Sequence, residues 1–350
     1  MLVILFHSGL FNFGWVGVQL FFVLSGFLIT QILYEYKAKL KFGKYLKVFY
    51  LRRILRIFPL YYLYLLILGV CYLLFNFPSE YKEQLLGLVT YTFNLFLFEN
   101  KQESTALIYH LWSLCVEEQF YLFWPLIVFI INKRTMAYLV VLLFFVIPIF
   151  RYFYGHHLAD LGLSDYEVGD SVYWFTISHI DAFGIGGMVA IYRSKLKKFA
   201  FQLFLIMLFI TFSAGLLNAL SQTYSISQFL TTLGYKFVGI VNYQHVWSYT
   251  ILNLFSASFI LLLIEKDTWL NRVFEKKWLI EIGKVSYGTY VYHVAVLTIF
   301  SHLFSGYIKG FYIRLLVFVL YVIVIFFISK LSFQLFEVKF LKLKKHFTAQ

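Results

Sequence analysis

Long apolar runs follow one another along the whole chain, with short polar connectors between them. A helix needs about 20 apolar residues to cross a hydrocarbon core of roughly 30 Å. The pattern therefore predicts an all-α fold, a polytopic membrane helical bundle of about ten transmembrane helices. The predicted spans lie near residues 1–11, 16–36, 54–76, 111–131, 136–154, 172–192, 199–220, 246–264, 285–304 and 312–335.

Two apolar segments do not fit a simple span. Residues 1–11 would reach only about half way across the core at about 1.5 Å per residue. The first helix is therefore predicted to be truncated, with roughly a dozen residues missing before Met1. The segment 84–98 is predicted to be interfacial or re-entrant, because a span there would place Lys133 and Arg134 on the outer side.

The composition excludes a soluble protein. Hydrophobic residues make up 61% of the 350 residues and charged residues 13%, far from the averages of globular domains. No stretch is suited to a separate soluble domain, so residues 1–350 are predicted to form a single membrane domain with no appended soluble domain. The two cysteines, Cys71 and Cys115, lie within apolar runs and indicate packing rather than a disulfide framework or a metal site.

Basic residues indicate how the spans are oriented, since cytoplasmic connectors collect Lys and Arg. The connectors 155–171 and 221–244 carry little or no positive charge, which predicts that they face outward, as does 77–109. Both termini are then cytoplasmic. This bias, together with attraction to an anionic lipid bilayer, explains the net charge of +13 without a nucleic-acid partner. The basic clusters are Lys37, Lys39, Lys41, Lys44, Lys47, Arg52, Arg53 and Arg56; Lys133 and Arg134; Arg193, Lys195, Lys197 and Lys198; Lys266, Arg272, Lys276, Lys277 and Lys284; and Lys339, Lys342, Lys344 and Lys345.

Two adjacent carboxylates, Glu117 and Glu118, stand in the apolar stretch 111–131. A charge at the centre of a bilayer costs about 2.5–3.5 kcal/mol on insertion scales, so an ionisable residue there indicates function. His7 is expected at a similar depth, where an imidazole oriented by a carboxylate can act as a general base. Helical spacing predicts one polar stripe near the outer side, made of Ser113, Glu117, Tyr121 and Trp124.

Three arginines, Arg52, Arg53 and Arg56, share a helix face at the cytoplasmic entrance of the third predicted span. Guanidinium groups bind phosphate bidentately and keep their charge, which favours a site for a nucleotide-like anionic carrier. Positive-inside anchoring, with long side chains that reach the interface, explains the same residues. Both interpretations stay open at this point.

A further set of polar residues is scattered over the later spans. Asp181 and His293 are expected to face the interior of the bundle, where His293 could equally serve as a hydrogen bond between helices. Gly184, Gly186 and Gly187 favour close helix packing over ligand binding. The other members of the set are His179, Ser286, Tyr290 and Tyr292. Four histidines in or near connectors are predicted to lie at the surface: His156, His157, His245 and His302.

Four blocks, taken in order, make the chain resemble the acyltransferase 3 family of bacterial membrane O-acyltransferases, which includes O-antigen and other surface-glycan acetylases. The blocks are His7 followed by residues 14–30 (GWVGVQLFFVLSGFLIT), residues 52–59 (RRILRIFP), residues 112–121 (WSLCVEEQFY), and residues 283–287 (GKVSY) with Tyr292 and His293. The resemblance runs nearly end to end. It implies a bacterial inner-membrane enzyme that moves an acyl group, usually acetyl, from cytosolic acyl-CoA to a hydroxyl of an extracytoplasmic glycan or lipid-linked glycan.

The resemblance also implies roles for the matched residues. His7 would be the catalytic histidine, with Glu117 and Glu118 in the acidic block and Glu117 as the preferred partner, because Glu118 lies about 100° around the helix. Acetyl-CoA would be a co-substrate, with no bound cofactor and no metal. The donor-binding residues would be Arg52, Arg53 and Arg56, and the supporting residues Ser113, Tyr121, Asp181, Tyr290 and His293.

The chain departs from the family pattern at two places. The family arginine that precedes the histidine would fall before Met1. Where the family commonly has Arg-x-Asp, this chain has His179-Ile180-Asp181, which weakens the case for a permanent positive charge there.

Two alternative functions stay open. One is a transporter or flippase for an anionic or lipid-linked substrate, with the buried Glu, His and Asp as a proton relay. The other is a lipid-linked glycosyltransferase, for which no large acceptor domain or acidic metal site is evident.

Overall fold

The computed structural model describes residues 1–79, 81–96, 106–265, 269–305 and 310–347. Within these ranges all regular secondary structure is helical and no strand occurs, so the predicted all-α class is confirmed. Two predictions concern residues that lie partly outside the described ranges. These residues are Lys266 of the basic clusters, and residues 80 and 97–105 of the segment 77–109, which was predicted to face outward.

The helices are numbered in chain order. They are α1 (Leu2–His7), α2 (Val16–Lys37), α3 (Phe42–Phe75), α4 (Tyr81–Val89), α5 (Phe93–Phe96), α6 (Ala106–Tyr109), α7 (Trp112–Ile130), α8 (Lys133–Asp160), α9 (Asp165–Trp174), α10 (Ile180–Leu196), α11 (Ala200–Ser221), α12 (Ile226–Thr232), α13 (Gln244–Glu265), α14 (Trp269–Phe274), α15 (Lys277–Lys284), α16 (Ser286–Phe304), α17 (Phe311–Ser332) and α18 (Val338–Leu343).

Seven helical segments among the described residues are long and apolar enough to cross a membrane, so the predicted count of about ten spans is not confirmed. Helix α1 has six residues. The predicted spans 172–192 and 199–220 fall largely within one helical segment, because the 3-10 turn Lys197–Phe199 joins α10 directly to α11. Helix α16 is not among the seven. The segments are Asn12–Lys37, Phe42–Phe75, Leu107–Ile130, Lys133–Asp160, Thr176–Ser221, Val241–Ile264 and Tyr312–His346.

The segment 84–98, predicted to be interfacial or re-entrant, forms short helices where it is described. Helix α4 has nine residues and α5 has four. Neither is long enough to cross a hydrocarbon core that requires about 20 residues. The described part of this segment therefore does not add a span.

The chain divides into two compact units. Unit 1 contains Met1–Ala38 and Ser113–Asn271, and unit 2 contains Lys39–Trp112 and Arg272–Gln350. Each unit is assembled from an early and a late part of the sequence. The organisation of residues 1–350 as a single domain remains a prediction.

Helices α2 and α10 cross at glycines in unit 1. A Cβ atom added to Gly26 would lie 2.2 Å from the carbonyl oxygen of Phe183, and one added to Gly186 would lie 2.0 Å from that of Val23. Both distances are far shorter than a carbon and an oxygen tolerate, so the two backbones are in direct contact. The predicted packing role of Gly186 is thus confirmed, as expected for small residues between membrane helices.

An aromatic cluster fixes the start of α2 in unit 1. The indole of Trp15 donates a hydrogen bond of 3.1 Å to the carbonyl of Tyr235 and packs edge-on against Tyr173 and Tyr249. Phe237 joins the cluster through Trp15 and through Phe6 of α1. Since Trp15 is fully buried, its N–H needs this carbonyl partner.

Tyrosines of α3 hold the short helices of unit 2. The hydroxyl of Tyr61 donates to the carbonyl of Leu88 at 2.8 Å, and that of Tyr62 to Val89 at 2.9 Å, which fixes the end of α4. Tyr64 does the same for α6 through the carbonyl of Leu107. Carbonyls left over at helix ends are satisfied in this way without water.

Gly186→Ala should destabilise unit 1. The added methyl group has no space and the atoms that it meets are backbone, so we expect a cost at the upper end of the roughly 1–3 kcal/mol seen for overpacking. The measurement is the thermal unfolding midpoint in detergent. Gly43→Ala in α3 is the matched control, since nothing lies within 4 Å of that position, and equal midpoints for the two variants would refute the close crossing.

Candidate active site

Glu117 is buried in unit 1 and is held by two hydroxyl groups. Ser25 of α2 and Tyr121, one turn further along α7, both donate to its Oε1 atom, and the two hydroxyl oxygens lie 2.7 Å apart. The carboxylate is 4% exposed. Ser25 was not predicted as a site residue, although it is a polar residue of α2 and directly precedes the crossing glycine Gly26.

The predicted polar stripe of α7 faces inward. All four of its residues are buried, and Trp124 donates a hydrogen bond of 2.8 Å to the hydroxyl of Thr30 on α2. Glu118 is half-buried and lies about 100° around the helix from Glu117. The structure therefore brings Glu117 and Tyr121 together and sets Glu118 on another face. The stripe consists of Ser113, Glu117, Tyr121 and Trp124.

His7 is the last residue of α1 and is half-buried. The start of α1 packs on the start of α2, where a Cβ added to Gly17 would lie 2.9 Å from Val3. Ser25, which holds Glu117, is eight residues beyond Gly17, or about 12 Å along the helix axis. The pairing of His7 with Glu117 remains a prediction, and α2 is the element that both α1 and Glu117 contact.

A buried ion pair occupies the centre of unit 1. Arg151 of α8 and Asp181 of α10 are 2.7 Å apart between Nη2 and Oδ1, and neither side chain is exposed to solvent. Thr250 of α13 accepts from Arg151 at 2.9 Å and donates to Asp181 at 2.8 Å. The guanidinium also donates to the carbonyl of Ser178 and lies 5.0 Å from the ring centre of Tyr249. One charged pair thus joins three helices.

Arg151 supplies the permanent positive charge beside Asp181 for which the His179-Ile180-Asp181 pattern had weakened the case. The charge comes from α8 rather than from the residue two before the aspartate, where His179 stands. Sequence analysis missed Arg151, although it is a lone arginine in the apolar run 136–154 and carried the same signal as Glu117. Asp181, a predicted supporting residue, is therefore fully paired inside the unit.

His179 lies beside this pair and is fully buried. Its Nε2 atom is 2.5 Å from the carbonyl oxygen of Tyr173, and its Nδ1 atom is 3.3 Å from Nε2 of Gln19 on α2. Because a carbonyl can only accept, Nε2 carries the proton and Nδ1 accepts from the Gln19 amide. Both nitrogens of this imidazole are engaged inside unit 1.

His245 was predicted to lie at the surface, and this prediction is wrong. It is 4% exposed, because Gly155 of α8 leaves space for its ring: a Cβ at Gly155 would lie 2.8 Å from Nε2 of His245. His156, His157 and His302 are exposed, as predicted. The sequence position of His245 near a connector could not show that Gly155, on another helix, leaves a buried space for its ring.

The predicted donor-binding residues belong to unit 2. Arg52, Arg53 and Arg56 are all half-buried on α3. Arg52 donates a hydrogen bond of 2.9 Å to the carbonyl of Phe347, and the guanidinium of Arg53 lies 5.9 Å from the ring centre of Phe49. The three residues form a basic face on the first half of α3.

The last two predicted supporting residues also lie in unit 2, together with a histidine that had no predicted role. Tyr290 donates to the carbonyl of His110 at 2.7 Å, and His293 Nδ1 lies 2.5 Å from the carbonyl oxygen of Tyr290. The rings of His110 and His293 are 5.1 Å apart between centres. Both histidines are buried, and each bonds to a carbonyl of α16 through one ring nitrogen.

Unit 1 therefore offers an oriented carboxylate, and unit 2 offers a basic face. A carboxylate held by two hydroxyl donors has a fixed direction and can orient a neighbouring proton carrier. Guanidinium groups on one helix face can hold phosphate. The described residues contain no group of three or more His, Cys, Asp or Glu with the geometry of a metal site.

Breaking the buried pair should destabilise unit 1. Removing one partner of a buried pair leaves an uncompensated charge and typically costs about 3–5 kcal/mol. Arg151→Met should therefore lower the thermal unfolding midpoint and the amount of protein in the membrane. Arg134→Met is the control, since Arg134 is an exposed arginine of the same helix. Equal midpoints would show that the ion pair does not stabilise the unit.

Comparison with known proteins gives relatives for nearly the whole chain. It is 28% identical over 354 residues to a Staphylococcus aureus (strain COL) protein named "Putative O-acetyltransferase", a match that covers 94% of this chain and 53% of that protein. It is 25% identical over 344 residues to "O-acetyltransferase OatA" of Staphylococcus aureus (strain NCTC 8325 / PS 47), which covers 93% of this chain and 52% of that protein. The chain thus spans about half the length of these curated relatives.

A shorter match and the family itself complete the comparison. The chain is 37% identical over 145 residues to "Peptidoglycan O-acetyltransferase OatA" of Listeria monocytogenes, covering 37% of this chain and 22% of that protein. No solved structure matches the chain. The acyltransferase 3 family, described as an acyltransferase domain, matches residues 1–332. The chain belongs to the acyltransferase 3 family.

Proposed function

We propose that this protein is a membrane O-acyltransferase that moves an acyl group, most simply acetyl, from cytosolic acyl-CoA to a hydroxyl of an extracytoplasmic glycan or lipid-linked glycan. Family membership supports the reaction class. The relatives named O-acetyltransferases support acetyl and an oxygen acceptor, and the Listeria relative, whose name specifies peptidoglycan, supports a glycan.

The observation that carries the proposal is the buried, doubly hydrogen-bonded Glu117. A carboxylate inside an apolar unit is costly unless it is used, and its bonds to Ser25 and Tyr121 hold it in one direction. Such a group suits the partner of a general base, because it fixes the tautomer of an imidazole and stabilises the imidazolium that forms.

The proposed chemistry is a single acyl transfer. The acceptor hydroxyl gives its proton to His7 while its oxygen attacks the thioester carbonyl, with Glu117 as the partner that orients the imidazole. The tetrahedral intermediate then collapses: the C–S bond breaks, the new C–O ester bond remains, and the proton passes to the departing thiolate of coenzyme A. Glu118, the second residue of the acidic block, lies on another face of α7 and has no step of its own in this scheme.

The donor would enter from the cytoplasmic side at Arg52, Arg53 and Arg56. These residues can bind the phosphates of a coenzyme A carrier bidentately. The inner membrane of a bacterium, with both termini of the chain cytoplasmic, is part of this proposal, because the distribution of basic residues then follows the positive-inside rule.

His7→Ala should reduce acetyl transfer about 10²–10⁴-fold, the usual contribution of a general base, without loss of protein from the membrane. The assay follows transfer of label from acetyl-coenzyme A in membranes and the mass of the surface glycan. His302→Ala is the control, since His302 is an exposed histidine. Retained transfer in His7→Ala would reject its catalytic role, and a glycan mass that never changes would favour a transporter over an acetylase.

Arg53→Ala should raise the apparent KM for the acyl donor and change kcat little, because the lost contact is to a part of the donor that does not react. Lys47→Ala, at an exposed position of the same helix, should leave KM unchanged. If the two variants have the same KM, the arginines serve as positive-inside anchors and the donor binds elsewhere.

A further inference from the structure

The segment after α17 has an unusual backbone. Residues Phe333–Glu337 form a π-helix, followed by α18 and by the 3-10 turn Lys344–His346. A π-helix is rare and frequently marks a functional position. The match to the acyltransferase 3 family ends at residue 332, so this segment lies beyond it.

The segment packs on the basic face of α3 within unit 2. The π-helix, α18 and the terminal turn all contact α3. The hydrogen bond from Arg52 to the carbonyl of Phe347, 2.9 Å long, closes the end of the segment onto the same helix. These contacts bring residues that are almost 300 positions apart in sequence onto one surface.

Lys344 differs from the other lysines of this segment. It is half-buried, whereas Lys339, Lys342 and Lys345 are exposed. Its ammonium group interacts electrostatically with Arg56, Arg53 and Arg52. A lysine that only anchors a helix at the membrane surface would keep its ammonium group in water and apart from other cations. Anchoring therefore does not explain why Lys344 is half-buried and interacts with three guanidinium groups.

Glu337 is the one acidic residue of this segment and is almost fully buried, at 6% exposure. It ends the π-helix and interacts electrostatically with Arg56. Gly288 of α16 leaves room for it, since a Cβ there would lie 3.3 Å from Oε1 of Glu337. That oxygen accepts no hydrogen bond within the part of the chain that the structure describes. Its carboxyl group is therefore the acidic group that this segment places near Arg56.

We propose that the segment 333–347 completes an anion site on α3, in which Lys344 is the fourth cation beside Arg52, Arg53 and Arg56 and Glu337 is the internal counter-ion. Four cationic side chains on a half-buried surface suit a ligand with several phosphate charges. Guanidinium forks bind phosphate oxygens bidentately, and an ammonium group adds a compact point charge. The identification of this ligand as the phosphate-bearing part of acyl-CoA rests on the proposed function.

Direct binding tests the site without any need for catalysis. The full chain is purified in nanodiscs of neutral phosphatidylcholine and titrated calorimetrically with adenosine 3′,5′-bisphosphate, which carries phosphate groups but no thioester. Lys344→Ala should weaken binding about 10-fold, the effect expected for one charge-assisted phosphate contact. Lys345→Ala, one residue further and exposed, should bind as the unaltered chain does.

Two further measurements separate an electrostatic role from a structural one. Glu337→Gln should bind the bisphosphate more tightly than the unaltered chain, because the competing charge is gone, so its effect is opposite in sign to that of Lys344→Ala. Affinity should fall as salt is raised, and it should fall less steeply for Lys344→Ala. Equal affinities for Lys344→Ala and Lys345→Ala, or weaker binding in Glu337→Gln, would overturn the proposal.

The source of the phosphate is tested separately. If the bisphosphate fails to bind in neutral nanodiscs, while phosphatidylglycerol nanodiscs stabilise the chain through Lys344, the site is a lipid headgroup site and the donor assignment is overturned. If the bisphosphate binds as expected but no acetyl transfer is found, the anion site stands and the proposed function fails. If transfer occurs and the Lys344 variant binds normally, the proposed function stands and this inference fails.

Discussion

The structure depends on the need of a buried charge in an apolar unit to find its partner within the protein. Water is absent from the hydrocarbon region, so an unpaired donor or charge there costs several kcal/mol. In unit 1 this need is met by Arg151 and Asp181, whose remaining donors and acceptors are taken up by Thr250 and by the carbonyl of Ser178. The pair connects α8, α10 and α13.

The same constraint explains why the two candidate sites look different. Glu117 accepts from hydroxyl groups, which orient a carboxylate while adding no charge of their own. The basic face of unit 2 is half-buried at the first half of α3, where cations can gather without full desolvation. A single carboxylate is thus enclosed, whereas a face with several cations stays partly exposed.

Much of this could be predicted from the sequence, where the signal is local. Apolar runs predicted the helices, four-residue spacing predicted the buried stripe of α7, and Gly186 was correctly expected to serve helix packing. Features that depend on distant partners could not be predicted. His245 is buried because Gly155, on another helix, leaves space for its ring. Arg151 could have been found, because a lone arginine in an apolar run raises the same question as a glutamate.

The crossing of α2 and α10 at Gly26 and Gly186 has a mechanical consequence. With the two backbones in contact and a glycine from each helix at the junction, neither helix can slide or rotate past the other without a steric collision. The two helices form a rigid pair, in which α2 carries Ser25 and α10 carries Asp181. The distance between Ser25, which orients Glu117, and Asp181, which pairs with Arg151, is therefore expected to stay constant during a reaction cycle. A rearrangement that admits or releases substrates would then occur in helices that lack such a close contact.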